Sequence, residues 1–117
     1  MNTFICYDRC GTCRKAEKWL KDNGIPYEKR PIKEEKPTYD ELKAWREKSG
    51  LPMRKFFNTS GMLYRDMGLK DKLDSMTDEE MAELLATDGM LVKRPLLITD
   101  KTVLVGFKEK EWVEVLK

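Results

Sequence analysis

The sequence predicts an α/β fold in which a small mixed sheet of four strands is flanked by helices. Three observations support this prediction. The first third alternates strand, helix and strand patterns, which is the start of a βαβ unit. The middle carries two helix-capping signatures, and the last part contains two short apolar runs followed by a helical pattern. The resulting order, β-α-β, helices, β-β-α, is typical of an α/β domain.

The N-terminal third contains the predicted βαβ start. Thr3–Tyr7 is a short β-type run, and apolar residues recur at helical spacing through Gly11–Asn23. The following Gly24 gives the Asn-Gly signal that ends a helix. Tyr27–Ile32 then predicts a second strand, so the first helix is expected to connect two neighbouring strands.

The middle of the chain is predicted to be a helical insert spanning about residues 38–88. Thr38 with Glu41 and Thr77 with Glu80 form two capping boxes, in which a threonine side chain and a glutamate side chain satisfy each other's backbone N–H groups. We expect each pair to open a helix. The stretch between these helices mixes apolar and turn residues, which predicts short helices.

The C-terminal part predicts a hairpin and a closing helix. Pro95–Thr99 and Thr102–Phe107 are apolar runs on either side of Asp100-Lys101, which indicates a turn between two strands. Glu109–Leu116 then has a helical pattern. With 117 residues, we expect the whole chain, 1–117, to be a single domain.

Composition narrows the functional classes. The net charge of +2 arises from 23 basic and 21 acidic residues that are interspersed, so direct nucleic-acid binding has no support. We find no apolar run long enough to cross a bilayer and no secretory signal pattern, so we expect a cytoplasmic protein without a membrane role. The chain has no histidine, which excludes Cys-His and Ser-His-Asp catalysis and histidine-containing zinc sites.

The stretch FICYDRCGTCRKA contains all three cysteines, Cys6, Cys10 and Cys13, spaced C-x3-C-x2-C. This spacing is also that of the radical S-adenosylmethionine enzymes, but the chain is short for their partial barrel, and Thr12 stands where they usually have an aromatic residue. A zinc site would lack a fourth ligand. The remaining readings are buried small side chains or a redox pair.

Cys10 and Cys13 fit a redox pair best. A C-x-x-C motif at the start of a helix places the first sulfur near free backbone N–H groups and the positive end of the helix dipole, which favour the thiolate. We therefore predict that Cys10 is the nucleophile and that Cys13, one turn later, is the resolving thiol. Arg9 and Arg14 add nearby positive charge. Cys6, on a strand, is predicted to be a buried core residue.

Four segments together resemble a known family. They are Cys10-Gly11-Thr12-Cys13-Arg14-Lys15, Tyr64–Leu69, Val92-Lys93-Arg94-Pro95 and Val105-Gly106-Phe107. The chain resembles the thioredoxin-fold branch that contains the glutaredoxin-coupled arsenate reductases (ArsC) and the Spx-type redox regulators. The resemblance implies a thioredoxin-like fold, a cis peptide before Pro95 and an oxyanion or peptide site facing Cys10. The residues expected to bind the anion or substrate are Gly11, Thr12, Arg14, Arg94 and Pro95, and no metal is expected.

The sequence also departs from the reductase pattern. Two of the three anion-binding arginines of the reductases fall at Asn58 and Phe107, with Lys108 adjacent to the latter, and their nearby histidine falls at Cys6. Cys13 replaces a serine. These departures favour thiol-disulfide chemistry over efficient arsenate reduction. Gly50 falls near the glycine through which the Spx-type regulators contact RNA polymerase, or is simply a helix C-cap.

Two functional hypotheses follow. The first is an arsenate reductase-like thiol-disulfide oxidoreductase that acts on a small oxyanion or a thiol or disulfide substrate. It would have no bound cofactor and would take reducing equivalents from glutathione and glutaredoxin or from thioredoxin. The alternative is an Spx-type redox-sensing transcriptional regulator that binds RNA polymerase without turnover.

Overall fold

A four-stranded mixed sheet forms the centre of the computed structural model, which describes residues 2–117. Its strands lie in the order β2-β1-β3-β4. The strands are β1 (Asn2–Cys6), β2 (Tyr27–Pro31), β3 (Leu96–Ile98) and β4 (Val103–Val105). The α-helices are α1 (Gly11–Asp22), α2 (Tyr39–Ser49), α3 (Met62–Asp66), α4 (Leu69–Lys72), α5 (Asp78–Leu85) and α6 (Glu109–Leu116).

The strand pairing confirms the predicted mixed sheet. β1 pairs in parallel with β2, with Cys6 opposite Pro31, and pairs antiparallel with β3, with Ile5 opposite Leu96. β3 and β4 form the predicted antiparallel hairpin. Because β1 lies between β2 and β3, the chain leaves the middle of the sheet directly after Cys6 and enters the loop that leads to α1.

Both C-terminal strands are shorter than the sequence predicts. Pro95 has no N–H to donate to a ladder, and β3 begins only at the next residue. Gly106 follows β4 with a φ of 75°, a conformation outside the β region that glycine adopts easily. The turn between the strands is held by Thr99, whose Oγ1 accepts hydrogen bonds from the N–H groups of Lys101 and Thr102.

The segment between β2 and β3 is helical, as predicted. Thr38 caps α2 and Thr77 caps α5, and both capping boxes are complete, with Glu41 and Glu80 as the reciprocal partners. The predicted short helices between them are a mixture of α and 3-10 turns. The 3-10 turns of this region are Met53–Phe56, Leu73–Ser75 and Gly89–Leu91.

The core consists of two clusters on opposite faces of the sheet. Ile5 and Leu96 pack against the helices and turns of the middle segment. Phe4 and Leu97, the neighbouring residues on the same strands, pack instead with α1 and with Trp112 of α6. Successive strand side chains point to opposite faces, so this alternation divides the core between the helical segment and the α1/α6 layer. Within residues 2–117, no helix has the length and apolar character needed to cross a membrane.

Candidate active site around Cys10

Cys10 is the N-cap residue of α1. The loop that precedes it turns back on itself, and the Cys10 N–H donates to the carbonyl of Tyr7 at 3.0 Å. Arg14 N–H donates to the Cys10 carbonyl at 3.2 Å as the helix begins. Cys10 is half-buried, whereas Cys6 and Cys13 are both 3% exposed. Among the three thiols, the Cys10 sulfur is therefore the one that a reactant in solvent can approach.

The surroundings of Cys10 favour its thiolate. Partial burial opposes ionisation, but hydrogen bonds from the backbone N–H and thiol of Cys13 and from the backbone N–H of Thr12 outweigh it, with help from the charge of Arg94. The pKa of Cys10 is therefore lowered. The helix N-terminus supplies the backbone donors, as the sequence suggested. The structure differs in the source of positive charge, which comes from Arg94.

The surroundings of Cys13 and Cys6 disfavour their thiolates. Burial, together with interaction with Cys10, raises the pKa of Cys13 to about 12, although a hydrogen bond from Tyr7 opposes the shift. That hydrogen bond runs from the Tyr7 N–H to the Cys13 sulfur at 3.4 Å. Burial likewise raises the pKa of Cys6 to about 11, with Lys29 opposing. The predicted burial of Cys6 is confirmed, and all three thiols are unbridged.

Cys10 opens into a cavity of about 680 Å³, which we call the Cys10 cavity. Its lining includes three cationic side chains and no carboxylate. It also includes apolar side chains from α3 and from the loops around it. The lining residues are Cys10, Thr12, Asn58, Ser60, Gly61, Met62, Leu63, Met90, Lys93, Arg94, Gly106, Phe107 and Lys108.

Arg94 lines the Cys10 cavity and has no carboxylate partner among residues 2–117. Its Nη1 donates to the Met90 carbonyl at 3.5 Å, the limit of a hydrogen bond, and its buried Nε has no hydrogen-bond partner within residues 2–117. The guanidinium lies 5.1 Å from the centre of the Tyr7 ring. An arginine that stacks on an aromatic ring and still has N–H donors without a partner is suited to binding an anion.

The other predicted site residues are divided between the cavity and its surroundings. Thr12 and Arg94 line the cavity with Cys10. Gly11, Arg14 and Pro95 do not belong to its lining. Arg14 is exposed, and its Nε donates to the Asp8 carbonyl at 3.0 Å, so it fastens the loop before Cys10. The Arg94-Pro95 peptide is cis, as the resemblance implied.

The two positions at which this chain lacks an arginine of the reductases both lie in this cavity. Asn58 and Phe107 both line it. The Phe107 ring also packs edge-on against the Trp112 ring, with 4.9 Å between the ring centroids. The Phe107 side chain therefore contributes to the packing of the second core cluster. Tyr7 and Lys93 were not among the site residues predicted from the sequence. Tyr7 directly follows β1, and Lys93 directly precedes Arg94 in the KRP segment, which was the sequence signal for it.

These observations agree with the comparison to known proteins. A model of the ArsC family matches residues 6–115. This chain belongs to the ArsC family. The match begins at Cys6 and includes the Cys10 loop, the helical segment and both C-terminal strands. The match therefore covers β2, β3 and β4 and, of β1, only its last residue.

Curated relatives of this ArsC-family chain include proteins of Bacillus subtilis and Listeria. The chain is 54% identical to the B. subtilis protein YusI, whose function is uncharacterized, with 96% of this chain and 95% of YusI covered. It is 30% identical to the B. subtilis regulatory protein MgsR, with 98% and 90% covered. It is also 30% identical to the global transcriptional regulator Spx of Listeria monocytogenes, with 95% and 83% covered.

Solved structures of the ArsC family share the fold. An ArsC family related protein from Bacteroides fragilis is 55% identical, with a TM-score of 0.96 over 99% of this chain and 97% of that one. A protein described as a possible arsenate reductase from Streptococcus mutans is 43% identical, with a TM-score of 0.88 over 97% and 98%. The mixed sheet with flanking helices is thus the thioredoxin-like fold that the resemblance implied.

The structure also bears on two sequence features, Gly50 and the C-x3-C-x2-C spacing of the cysteines. Gly50 ends α2 with a φ of 73°, so the C-cap reading accounts for this glycine. Within residues 2–117, no three cysteine and acidic side chains come together in a group that would hold a metal ion. The C-x3-C-x2-C spacing therefore does not bring Cys6, Cys10 and Cys13 into a common ligand set.

Proposed function

We propose that this ArsC-family chain is a thiol-disulfide oxidoreductase with Cys10 as the nucleophile and Cys13 as the resolving thiol. The observation that carries the proposal is the contrast between the two thiols. Cys10 is accessible and has a lowered pKa, whereas the buried thiol of Cys13 has a pKa raised to about 12. Near neutral pH, Cys10 attacks while Cys13 stays protonated and donates a hydrogen bond to it.

The proposed reaction has two steps. The Cys10 thiolate attacks a substrate sulfur, forms a mixed disulfide and expels the first leaving group as a thiolate. The Cys10 sulfur then no longer bears negative charge, which removes one of the influences that raise the pKa of Cys13. Cys13 then gives its proton to the expelled thiolate or to solvent and attacks the Cys10 sulfur, which breaks the mixed disulfide, forms the Cys10–Cys13 disulfide and releases the second leaving group as a thiolate. The chain loses two electrons, and the substrate gains them.

A small oxyanion such as arsenate is the second substrate class of this proposal. Arg94 and the N–H groups at the start of α1 would face its oxygens beside Cys10. The Cys10 thiolate would attack arsenic and form an S–As bond, while an arsenate hydroxyl takes up a proton from solvent and leaves as water. Attack of Cys13 on the Cys10 sulfur would then release arsenite with the electron pair. Glutathione with glutaredoxin, or thioredoxin, would reduce the resulting disulfide and restore the dithiol.

The test combines turnover with peptide mapping. Reduced protein is treated with a small disulfide or with arsenate, with glutaredoxin and thioredoxin systems as donors in separate reactions. We expect a Cys10–Cys13 disulfide that leaves Cys6 free, and no bridge in Cys10→Ser. Cys13→Ser should stop at the mixed disulfide. A bridge that contains Cys6 would contradict the assigned roles.

A second candidate function is a redox-sensing transcriptional regulator of the Spx type that binds RNA polymerase in the cytoplasm. The observation that favours it is the similarity of nearly the whole chain to MgsR and Spx, both of which are regulators by name. The Cys10–Cys13 pair would then act as a sensor. A pull-down with RNA polymerase, run with reduced and oxidised protein beside the turnover assay, separates the two. Turnover without binding supports the enzyme, and redox-dependent binding without turnover supports the regulator.

A further inference from the structure

Lys93 is a half-buried cation in the wall of the Cys10 cavity. Its backbone is fixed beside the cavity, because the Lys93 N–H donates to the Phe56 carbonyl at 2.7 Å. Its side chain lies over Gly106, where an added Cβ would approach the Lys93 Cε to 3.0 Å. Gly106 thus leaves the space that the lysine stem occupies.

The Lys93 ammonium has no acidic partner among residues 2–117. Lys108, the other lysine of the cavity, is more exposed and lies 3.9 Å from Glu111. Arg94 adds a second cation without a carboxylate partner. Two cations without an acidic partner among the described residues, in the wall of the cavity that Cys10 lines, create a positive potential that attracts anions more strongly than it attracts neutral molecules.

The cavity is also larger and more apolar than a simple oxyanion requires. Its volume of about 680 Å³ falls within the ~300–1,000 Å³ typical of sites for small organic ligands. Met62 and Leu63 of α3, together with Met90 and Phe107, form its apolar wall. A ligand that used the whole cavity would combine an organic body with at least one negative charge.

We infer that Lys93 is a specificity-determining residue that selects small organic disulfides carrying a carboxylate near the reacting sulfur. This inference rests on the proposed thiol-disulfide function and names its substrate class. Asn58 and Phe107 stand where the reductases have arginines and are uncharged, so Lys93 supplies positive charge that these two cavity residues do not. The substrate carboxylate lies between Lys93 and Arg94, and its disulfide faces Cys10.

The reaction follows the two-step scheme with one disulfide molecule as the oxidant. Cys10 forms a bond to one sulfur of the substrate and releases the other half as a carboxylate-bearing thiolate. Cys13 then forms the bond to Cys10 and releases the remaining half as a second thiolate. The disulfide is reduced to two thiols, and the Cys10–Cys13 dithiol is oxidised by the same two electrons.

Three matched disulfides test the inference: 3,3′-dithiodipropionate, which is anionic, bis(2-hydroxyethyl) disulfide, which is neutral, and cystamine, which is cationic. The measured quantity is the second-order rate at which each oxidises the reduced protein. The anionic-to-neutral rate ratio is compared between variants, because a change in the Cys10 thiolate fraction affects both rates equally and cancels. We expect the order anionic, neutral, cationic in the wild type.

Lys93→Gln should lower the anionic-to-neutral ratio about three- to tenfold, the loss expected from one unpaired cation at a partly buried site. Lys93→Arg should keep the ratio within about twofold, because it retains the charge. Lys43→Gln is the matched control, since Lys43 is also half-buried but lies over the Tyr39 ring on α2, outside the cavity. Its ratio should equal that of the wild type.

Higher ionic strength gives an independent measurement on unmodified protein, where the anionic preference should shrink as salt screens the cations. Oxidation of Cys10 by all three disulfides at similar rates, or an unchanged ratio in Lys93→Gln, would overturn the role of Lys93 while leaving the proposed function intact. No Cys10–Cys13 disulfide with any of the three would overturn the proposed function itself, and the role of Lys93 with it.

Discussion

At the scale of single residues, the two thiols of the C-x-x-C motif are separated by their surroundings. Cys10 lies at the mouth of a cavity and receives hydrogen bonds from α1, whereas Cys13 lies in the core cluster with Phe4 and Trp112. Helical spacing produces this difference, because Cys13 lies on the buried face of α1 together with Ala16. Cys10 is thereby accessible with its thiolate favoured, whereas Cys13 is buried with its thiolate disfavoured.

Cys10 should be the first thiol to be alkylated. Its lowered pKa means that the thiolate forms as pH rises before Cys6 or Cys13 ionises, at their values of about 11 and about 12. The rate of iodoacetamide labelling against pH should therefore show a midpoint lower than that of an unperturbed cysteine thiol. Cys10→Ser should abolish the fast phase. Mass spectrometry that finds Cys6 or Cys13 labelled first near pH 7 would show that the roles are wrong.

Arg94 should control anion affinity beside Cys10. Loss of a charge-assisted hydrogen bond costs about 1.5–3 kcal/mol, so Arg94→Ala should weaken arsenate or sulfate binding roughly ten- to hundredfold. Binding to the wild type should itself be weak, with a dissociation constant on the order of millimolar, because Asn58 and Phe107 provide no charge.

Calorimetric titration of the reduced protein measures this binding. Lys18→Ala is the control, since Lys18 lies on the exposed face of α1, where it pairs with Asp22 outside the cavity. Its affinity should match that of the wild type. Tight binding that survives Arg94→Ala would place the anion elsewhere on the molecule.

At the scale of elements, Glu41 links the start of α2 to β2. Its carboxylate completes the capping box of Thr38 and also receives two hydrogen bonds from Arg30, at 2.7 and 2.8 Å. Arg30 in turn donates to the carbonyls of Glu35 and Lys36, so it fastens the connection between strand and helix. Hydrogen bonding to Arg30 lowers the pKa of Glu41 to about 2.

The stability contributed by Glu41 should depend on pH with a predictable sign. A lowered folded-state pKa means that the contribution is fully present above the unfolded value of about 4.3 and is lost as pH falls towards about 2. Glu41→Gln keeps a capping side chain but removes the charge, so it should lower the free energy of unfolding at pH 7 by about 1–2 kcal/mol. Urea denaturation at pH 7 and at pH 2.5 measures both effects.

Glu80→Gln is the matched control for this experiment. Glu80 occupies the same position in the capping box of α5, and no ion pair joins it within residues 2–117. Its effect at pH 7 should be clearly smaller than that of Glu41→Gln. A difference between wild type and Glu41→Gln that remained unchanged from pH 7 to pH 2.5 would contradict the role of the ion pair.

At the scale of the whole molecule, Trp112 joins α6 to the sheet and to the edge of the Cys10 cavity. Its side chain is 0% exposed and packs edge-on against Phe4, Trp19 and Phe107. Its Nε1 donates to the Gly106 carbonyl at 3.1 Å. Phe107 and Gly106 also line the cavity, so the packing of the second core cluster supports the wall of the site.

Trp112→Ala should be strongly destabilising. Truncating a fully buried tryptophan costs about 3–5 kcal/mol, because transfer energy is lost and a cavity remains. Trp112→Phe should cost less, since an aromatic ring still fills much of the space. Glu114→Ala on the exposed side of the same helix should change stability by less than about 0.5 kcal/mol. Chemical denaturation measures all three, and a cost below about 1 kcal/mol for Trp112→Ala would contradict this packing.

The sequence by itself determined the order of the elements, both capping boxes and the position of Cys10 at the start of a helix. Each of these depends on residues within a turn or two of one another, such as Thr38 with Glu41, so the signal is present in a short stretch of chain. The ArsC resemblance added the cis peptide before Pro95. The strand ends were less well predicted, because Pro95 and Gly106 stop the ladders by their backbone properties.

Only the tertiary structure decided which charges surround Cys10. Arg14 is near Cys10 in sequence, yet it turns to the Asp8 carbonyl, whereas Arg94 reaches the site because β3 pairs with β1. Lys93 enters the same cavity by that pairing. Electrostatic influence depends on distance in space and on burial, and neither can be read from sequence separation when the contact is made across a sheet.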